Sequence, residues 1–221
     1  ENIINNSFGV GLIFYNVCGS NIFHDVTFTE DVSCNGYDNA LTVTTDNITI
    51  DFGGYSLIGN GTGIGLNISD YDNVTILNAN IQNFSTAIYA DPAVDINISG
   101  ALITNNSVGI DFTEINNSFI GTSNITNNTI GIQFNNAHNN TIYTNYVLYN
   151  DLGLNLSSSN NNLIYNNYIN NTNDTWSDGT NDWNSSLVSG TNIFGGSYIG
   201  GNFWANYTGW DTDLDGMGET L

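Results

Sequence analysis

Between Asn73 and Asn171 aliphatic residues recur every 22 positions on three separate offsets, with no insertion or deletion. The first set is Ile76, Ile98, Ile120, Ile142 and Ile164; the second is Ile81, Ile103, Ile125, Val147 and Ile169; the third is Leu66, Ile88, Ile110, Ile132 and Leu154. A polar set, Asn73, Asp95, Asn117, Asn139 and Asn161, keeps the same step. A small residue (Gly65, Ala87, Gly109, Gly131, Gly153) stands before each member of the third set, as a bend needs where a side chain would strike the wall. A constant period of this length marks a solenoid. Its apolar runs are short, β-branched and bounded by Asn, Gly and Ser, too short for helices, so the coil is all β. Stacking coils about 4.8 Å apart sets Ile on Ile inside and Asn on Asn at the turns. The predicted fold is a single-stranded parallel β-helix with 22-residue coils.

The pattern is less regular at both ends. Ile3–Val10 repeats the coil pattern of Leu102–Ile110, whereas residues 18–45 lose the register. Ile50 precedes Ile76 by 26 residues, and the four extra positions imply a bulged turn. Trp176 stands next on the third offset, where a large ring would plug the core; Trp183, Trp204 and Trp210 follow it. The expected organisation is an N-terminal strand and disulfide-containing cap over 1–45, a β-helix over 46–171 and a Trp-rich cap with an acidic loop over 172–221. An N-terminal strand with Ile4, Phe8, Val10 and Leu12 must join a sheet edge. Either it is donated to a second copy, giving a head-to-tail polymer, or it folds back near Ile50.

Composition narrows the partners. The 221 residues contain no Lys or Arg, and the formal charge is −21. Nothing can neutralise a phosphate, which excludes nucleic acid, and anionic membrane surfaces are disfavoured. No apolar run is long enough to span a membrane, and no signal peptide is visible. Sequons point to export and N-linked glycans: Asn5, Asn47, Asn60, Asn67, Asn73, Asn83, Asn97, Asn105, Asn116, Asn124, Asn127, Asn139, Asn155, Asn170, Asn173, Asn184 and Asn206. Cys18 and Cys34 read as one disulfide in an exported chain, with a pair of buried free thiols as the alternative.

Asp211, Asp213 and Asp215 alternate ahead of Gly216, so one turn could wrap a Ca²⁺ ion with the Met217 carbonyl and Glu219 nearby. An EF-hand's bidentate twelfth position would be residue 222, past the last residue, and the alternative is an acidic solvated tail.

These segments, with Asn47–Leu57, Gly200–Tyr207 and Asp211–Thr220, resemble the NosD-like, CASH-type β-helix repeats of methanogen cell-surface proteins. The resemblance implies a right-handed helix with three strands per coil at the exterior of an archaeal cell. It also implies copper, although the soft or imidazole donors Cys18, Cys34, His24, His138 and Met217 are scattered in sequence.

The leading functional expectation is an extracellular structural subunit of a surface layer, sheath or filament, partnered by its own copies and by divalent cations. The alternative is a carbohydrate-binding adhesin or a polysaccharide-processing enzyme. Lyases and epimerases usually neutralise a substrate carboxylate with Arg or Lys, for which calcium could substitute, and hydrolases need only paired carboxylates. Asp51, Asp70, Asp72, Asp91, Asp95, Asp111 and Glu114 are available, yet they read as solvated turn residues, and His24 and His138 as surface or turn residues. No catalytic residue and no enzyme is expected. If the acidic loop holds calcium, chelation lowers the Tm and Asp213→Ala binds fewer ions than the parent; an unchanged scan and ion count would leave it a plain acidic tail.

Overall fold

The computed structural model describes residues 2–5, 12–14, 17–206 and 208. Three parallel sheets wrap one apolar core, and each coil contributes one strand to each sheet. The first sheet runs from Val26–Phe28 through Ile48–Asp51, Val74–Leu77, Asn97–Ser99, Phe119–Gly121 and Thr141–Tyr143 to Leu163–Tyr165. The second runs from Val32–Ser33 through Ser56–Ile58, Asn80–Gln82, Leu102–Thr104, Asn124–Thr126, Tyr146–Leu148 and Tyr168–Asn170 to Phe203–Trp204. The third runs from Ser20–Ile22 through Asn39–Val43, Ile64–Asn67, Thr86–Ala90, Val108–Thr113, Ile130–Asn135 and Leu152–Ser157 to Asn173–Ser177. The connections are right-handed, as parallel crossovers require.

Each predicted aliphatic set is a column of paired residues in one sheet. Ile76, Ile98, Ile120, Ile142 and Ile164 pair rung by rung in the first. The second and third sets do the same in their sheets. Phe28 stacks on Phe52 at 4.3 Å and Phe112 on Phe134 at 5.6 Å within the core. The small residues ahead of the third column face the next coil's main chain: a Cβ on Gly131 would lie 2.7 Å from the Gly153 carbonyl.

Corners repeat a two-residue device. A residue with positive φ turns the chain, and the residue after it points inward. Asn105, Asn127, Asn139 and Asn161 have φ of 55–58°, and the asparagines after them (Asn106, Asn128, Asn140, Asn162) are buried. Asn adopts this left-handed conformation more readily than other side-chain-bearing residues. The predicted polar set Asn73, Asp95, Asn117, Asn139 and Asn161 occupies such a slot throughout, with φ of 53–58°. Three ladders of buried polar side chains result. In one, Asn145 Oδ1 accepts from the Ser123 N–H at 3.0 Å, while its Nδ2 donates to the Ile120 carbonyl at 2.8 Å and to Asn167 Oδ1 at 3.0 Å. Asn106, Asn128 and Asn150 do the same at the next corner. Corner backbone groups that a sheet cannot pair are thereby satisfied.

The ends differ from expectation. Coils begin before residue 46: Val26 pairs with Ile50, Val32 with Leu57 and Leu41 with Leu66. Residues 18–45 had hidden this because their turns differ in length. The four extra residues ahead of Ile76 are shared by two corners: Ile50 to Leu57 spans seven positions against five from Ile76 to Ile81, and Leu57 to Leu66 spans nine against seven from Ile81 to Ile88. Cys18 and Cys34 form a disulfide within the first coil, Cα–Cα 5.3 Å. Asn2–Asn5 folds back, pairing antiparallel with Leu12–Phe14 and with Val26–Phe28 (Ile4 opposite Phe28), so this strand lies on its own first coil. Phe8 and Val10 lie outside the described residues.

Trp176 is not a plug. The last coil is one residue shorter, so Thr175 takes the rung above Leu154, and Trp176 pairs with Asn155 on the outer face, 47% exposed. Trp204, paired with Ile169, and Trp183 pack against the core end with ring centroids 5.8 Å apart. Trp210 lies outside the described residues.

Replacing Asn145 by Ala strands the Ser123 N–H and the Ile120 carbonyl, and should cost about 3 kcal/mol, a Tm loss of roughly 6–12 °C. Asn124→Ala, at an exposed position one rung-residue away, should stay within about 0.5 kcal/mol. Equal Tm values for the two variants in a calorimetric scan would contradict the ladder's role.

Candidate functional site

On a strand the residue after an inward-facing one faces out, so the 22-residue register that builds the core also builds columns on the wall. The column beside the third aliphatic set is Asn67, Tyr89, Asp111, Gln133, Asn155 and Trp176, paired rung by rung. Tyr89 to Trp176 spans four rungs, about 19 Å. Two residues along each strand lie Asp91, Thr113, Asn135 and Ser157, and on the other flank half-exposed Val108, Ile130 and Leu152. From Tyr89 to Trp176 the face thus joins an aromatic ring at each end, two carboxylates, three amides and an aliphatic border.

Its carboxylates are held by neutral donors. The Tyr89 hydroxyl donates to Asp91 Oδ2 at 3.0 Å, Asn135 Nδ2 donates to Asp111 Oδ1 at 3.3 Å, and Asn155 Nδ2 donates to Gln133 Oε1 at 3.4 Å. Burial pushes the Asp111 carboxyl above its usual range and the Asp91 charge adds to this, while hydrogen bonds from Gln133 and Asn135 oppose it without cancelling it. Burial, the bond to Asp91 and both nearby charges raise the Tyr89 hydroxyl to about 12. Asp91 and Asp111 sit on adjacent rungs two residues apart along the strand, so their Cα atoms are about 8 Å apart.

The other predicted carboxylates serve turns. Asp72 Oδ1 accepts from the Val94 N–H and Asp51 Oδ1 from the Gly53 N–H. Asp70, Asp95 and Glu114 hold positive φ at corners. His138 Nδ1 accepts from the Asn160 N–H at 3.0 Å, and its Nε2 bonds Asn136 Oδ1; His24 Nδ1 bonds the Asp25 carbonyl. The calcium residues Asp211, Asp213, Asp215, Met217 and Glu219 lie outside the described residues. Asn5 is in a strand whose side chains are not described; the other sequon asparagines are exposed or half-exposed. The buried Asn106, Asn128, Asn140, Asn145, Asn150, Asn162, Asn166, Asn167 and Asn171 all fall outside sequons. Tyr89 and Gln133 were missed because a column of unlike residues shows no identity at its period, although the 22-residue offset from Asp111 locates both.

The sequence pattern of the family described as "Periplasmic copper-binding protein (NosD)" matches residues 1–209. No curated protein matches the chain. Among solved structures, DFA-IIIase from Arthrobacter chlorophenolicus A6 superposes with a TM-score of 0.53 at 12% identity, over 64% of this chain and 38% of that one. Its complex with GF2 gives 0.51 at 13%, over 63% and 40%. A mutant of the periplasmic alginate epimerase AlgG gives 0.41 at 15%, over 67% and 54%. The chain therefore spans about two fifths of the length of the DFA-IIIase structures it matches. At such identities the likeness is one of fold. That fold is an enzyme's in DFA-IIIase, and this corrects the expectation that the chain is not an enzyme.

Copper does not fit the described residues. Both thiols are consumed in the disulfide, and both imidazoles are engaged in turn hydrogen bonds five coils, about 24 Å, apart. No three His, Cys, Asp or Glu side chains among the described residues converge.

Because the folded pKa of Asp111 is raised, the stability it contributes is full below the ordinary carboxylate pKa and is lost as pH rises through the raised one. Asp111→Asn should therefore raise the Tm at pH 7, with the gain shrinking below about pH 4. A gain independent of pH, or a loss at pH 7, would contradict the desolvated carboxyl.

Proposed function

The chain belongs to the NosD family, and we propose that within it this protein is an exported β-helix that binds and hydrolyses neutral polysaccharide on the outer face of its third sheet. The observation that carries this reading is the column from Tyr89 to Trp176 with the Asp91 and Asp111 pair at one end. Its disulfide suits a compartment outside the cytoplasm.

The chemistry follows from the groups present. Asp111, whose carboxyl keeps its proton to higher pH than usual, donates that proton to the departing glycosidic oxygen. Asp91 takes a proton from the water that attacks the anomeric carbon, so one C–O bond breaks, another forms and the sum is hydrolysis. A carboxyl that donates a proton beside a carboxylate that activates water is the division of labour of an inverting hydrolase. The exposed Trp176 ring offers a stacking surface, and Gln133, Asn135 and Asn155 supply donors and acceptors for hydroxyls. A charge of −21 with no Lys or Arg repels acidic polymers and leaves nothing to neutralise a uronate in a lyase or epimerase step, so the substrate is neutral.

Reducing ends released from a panel of neutral and acidic polysaccharides test this. Neutral polymers should be cut, Asp111→Asn and Asp91→Asn should lose about 100-fold or more in kcat, and Trp176→Ala should raise KM with a smaller effect on kcat. Cleavage unaltered in both Asp variants, or confined to uronides, would overturn the proposal.

A further inference from the structure

At the corner from the second sheet to the third, the chain turns through one positive-φ residue per coil: Asn83, Asn105, Asn127 and Tyr149, with φ of 60, 58, 55 and 59°. Three are asparagine, the residue that tolerates this conformation. The fourth is a bulky aromatic, for which it is an outlier, and such outliers persist where something other than stability holds them. The Tyr149 ring is 67% exposed, more than any other large apolar or aromatic side chain among the described residues. Several tyrosines on the wall pack against other rings: Tyr143 against Tyr165 at 4.6 Å, Tyr146 stacked on Tyr168 at 5.8 Å, Tyr168 against Phe203 at 4.6 Å. Among the described residues Tyr149 stacks on no ring, so its faces are open.

The ring stands at an open groove of about 460 Å³ that runs along several coils beside it. Its wall includes Asn105 and Ser107 on one coil, Asn127 and Thr129 on the next, and Asp151 beyond Tyr149. Two successive coils thus each present an exposed amide and a hydroxyl, about 4.8 Å apart, and the third adds one carboxylate and one open aromatic face.

We propose that this groove is a binding site for a neutral, hydroxyl-rich oligosaccharide lying parallel to the solenoid axis, with Tyr149 stacked on a sugar ring. Repeated amides and hydroxyls match repeated sugar hydroxyls. An acidic polymer or a nucleic acid meets Asp151 and finds no cation. A peptide finds few apolar surfaces in which to seat side chains. The site lies at a corner, apart from the Asp91 and Asp111 face, and does not depend on hydrolysis there. The sugar could come from a free polysaccharide or from a glycan on this chain's own Asn105 or Asn127, both sequon asparagines at the groove.

The test uses the full chain, before and after enzymatic removal of any N-glycan, titrated with neutral oligosaccharides while tyrosine ring signals are followed by NMR. Tyr149→Asn restores the residue of the other coils, so it should hold or raise the Tm while weakening binding about tenfold or more, where tenfold is about 1.4 kcal/mol. Asp111→Asn should bind the groove ligand as the parent does, which separates a failure here from a failure of the hydrolytic face. Binding in both forms points to free polysaccharide, and binding only after deglycosylation points to the chain's own glycan; either supports the site. Undiminished binding by Tyr149→Asn, or no binding by the parent in either form, overturns it.

Discussion

Every feature of this molecule depends on the main-chain hydrogen bond between one coil and the next. Parallel rungs fix the separation of successive coils at about 4.8 Å, and the constant 22-residue step then sets each residue above its own counterpart. Sequence position becomes column position. Inside, this gives Ile on Ile and Phe on Phe; outside, it gives the column from Tyr89 to Trp176. A change of one residue in a coil shifts every later column, as the shorter last coil does when it sends Trp176 to the outer face and Thr175 to the rung above Leu154.

Main-chain stacking satisfies the strands but not the corners, and it is the buried asparagines that make three sharp corners per coil tolerable. An isolated amide at those depths would be destabilising. Here each Oδ1 accepts from the coil on one side and each Nδ2 donates to a carbonyl, so the side chain substitutes for the missing rung. The ladders end where the cap supplies a final acceptor: Asp174 for Asn171, Asn181 for Asn162 and Asn202 for Asn167.

Regular coils were legible in the sequence because like residues recur in them. The aliphatic columns announce themselves by identity, and the Asn73 set by its turn chemistry. The buried asparagines were written just as plainly in the Asn-Asn pairs 105–106, 127–128, 139–140 and 161–162, but composition ties Asn to solvent and turns, and only one member of each pair obeys. The first coils were hidden by corners of differing length, and the closing coil by its missing residue. Among site residues, Asp91 and Asp111 were visible as carboxylates and not as a pair, because their nearness is diagonal across two rungs. Tyr149 stood out neither by type nor by spacing; its meaning lies in a φ that only the three-dimensional chain supplies.

The absence of Lys and Arg gives the surface its logic. A carboxylate on this wall has no Lys or Arg to pair with, and three of the states it adopts instead are distinct. It can accept a main-chain N–H from the next coil, as Asp25, Asp31, Asp46 and Asp72 do. It can stand in water at a corner, as Asp95 does. Or it can sit half-buried among neutral donors, where burial disfavours the charge and amides and hydroxyls stabilise it less than an ion pair would. Asp111 is in that last state. A chain without Lys or Arg can still set one acid apart from the rest, and it does so by packing it on a flat sheet between an amide and a second acid.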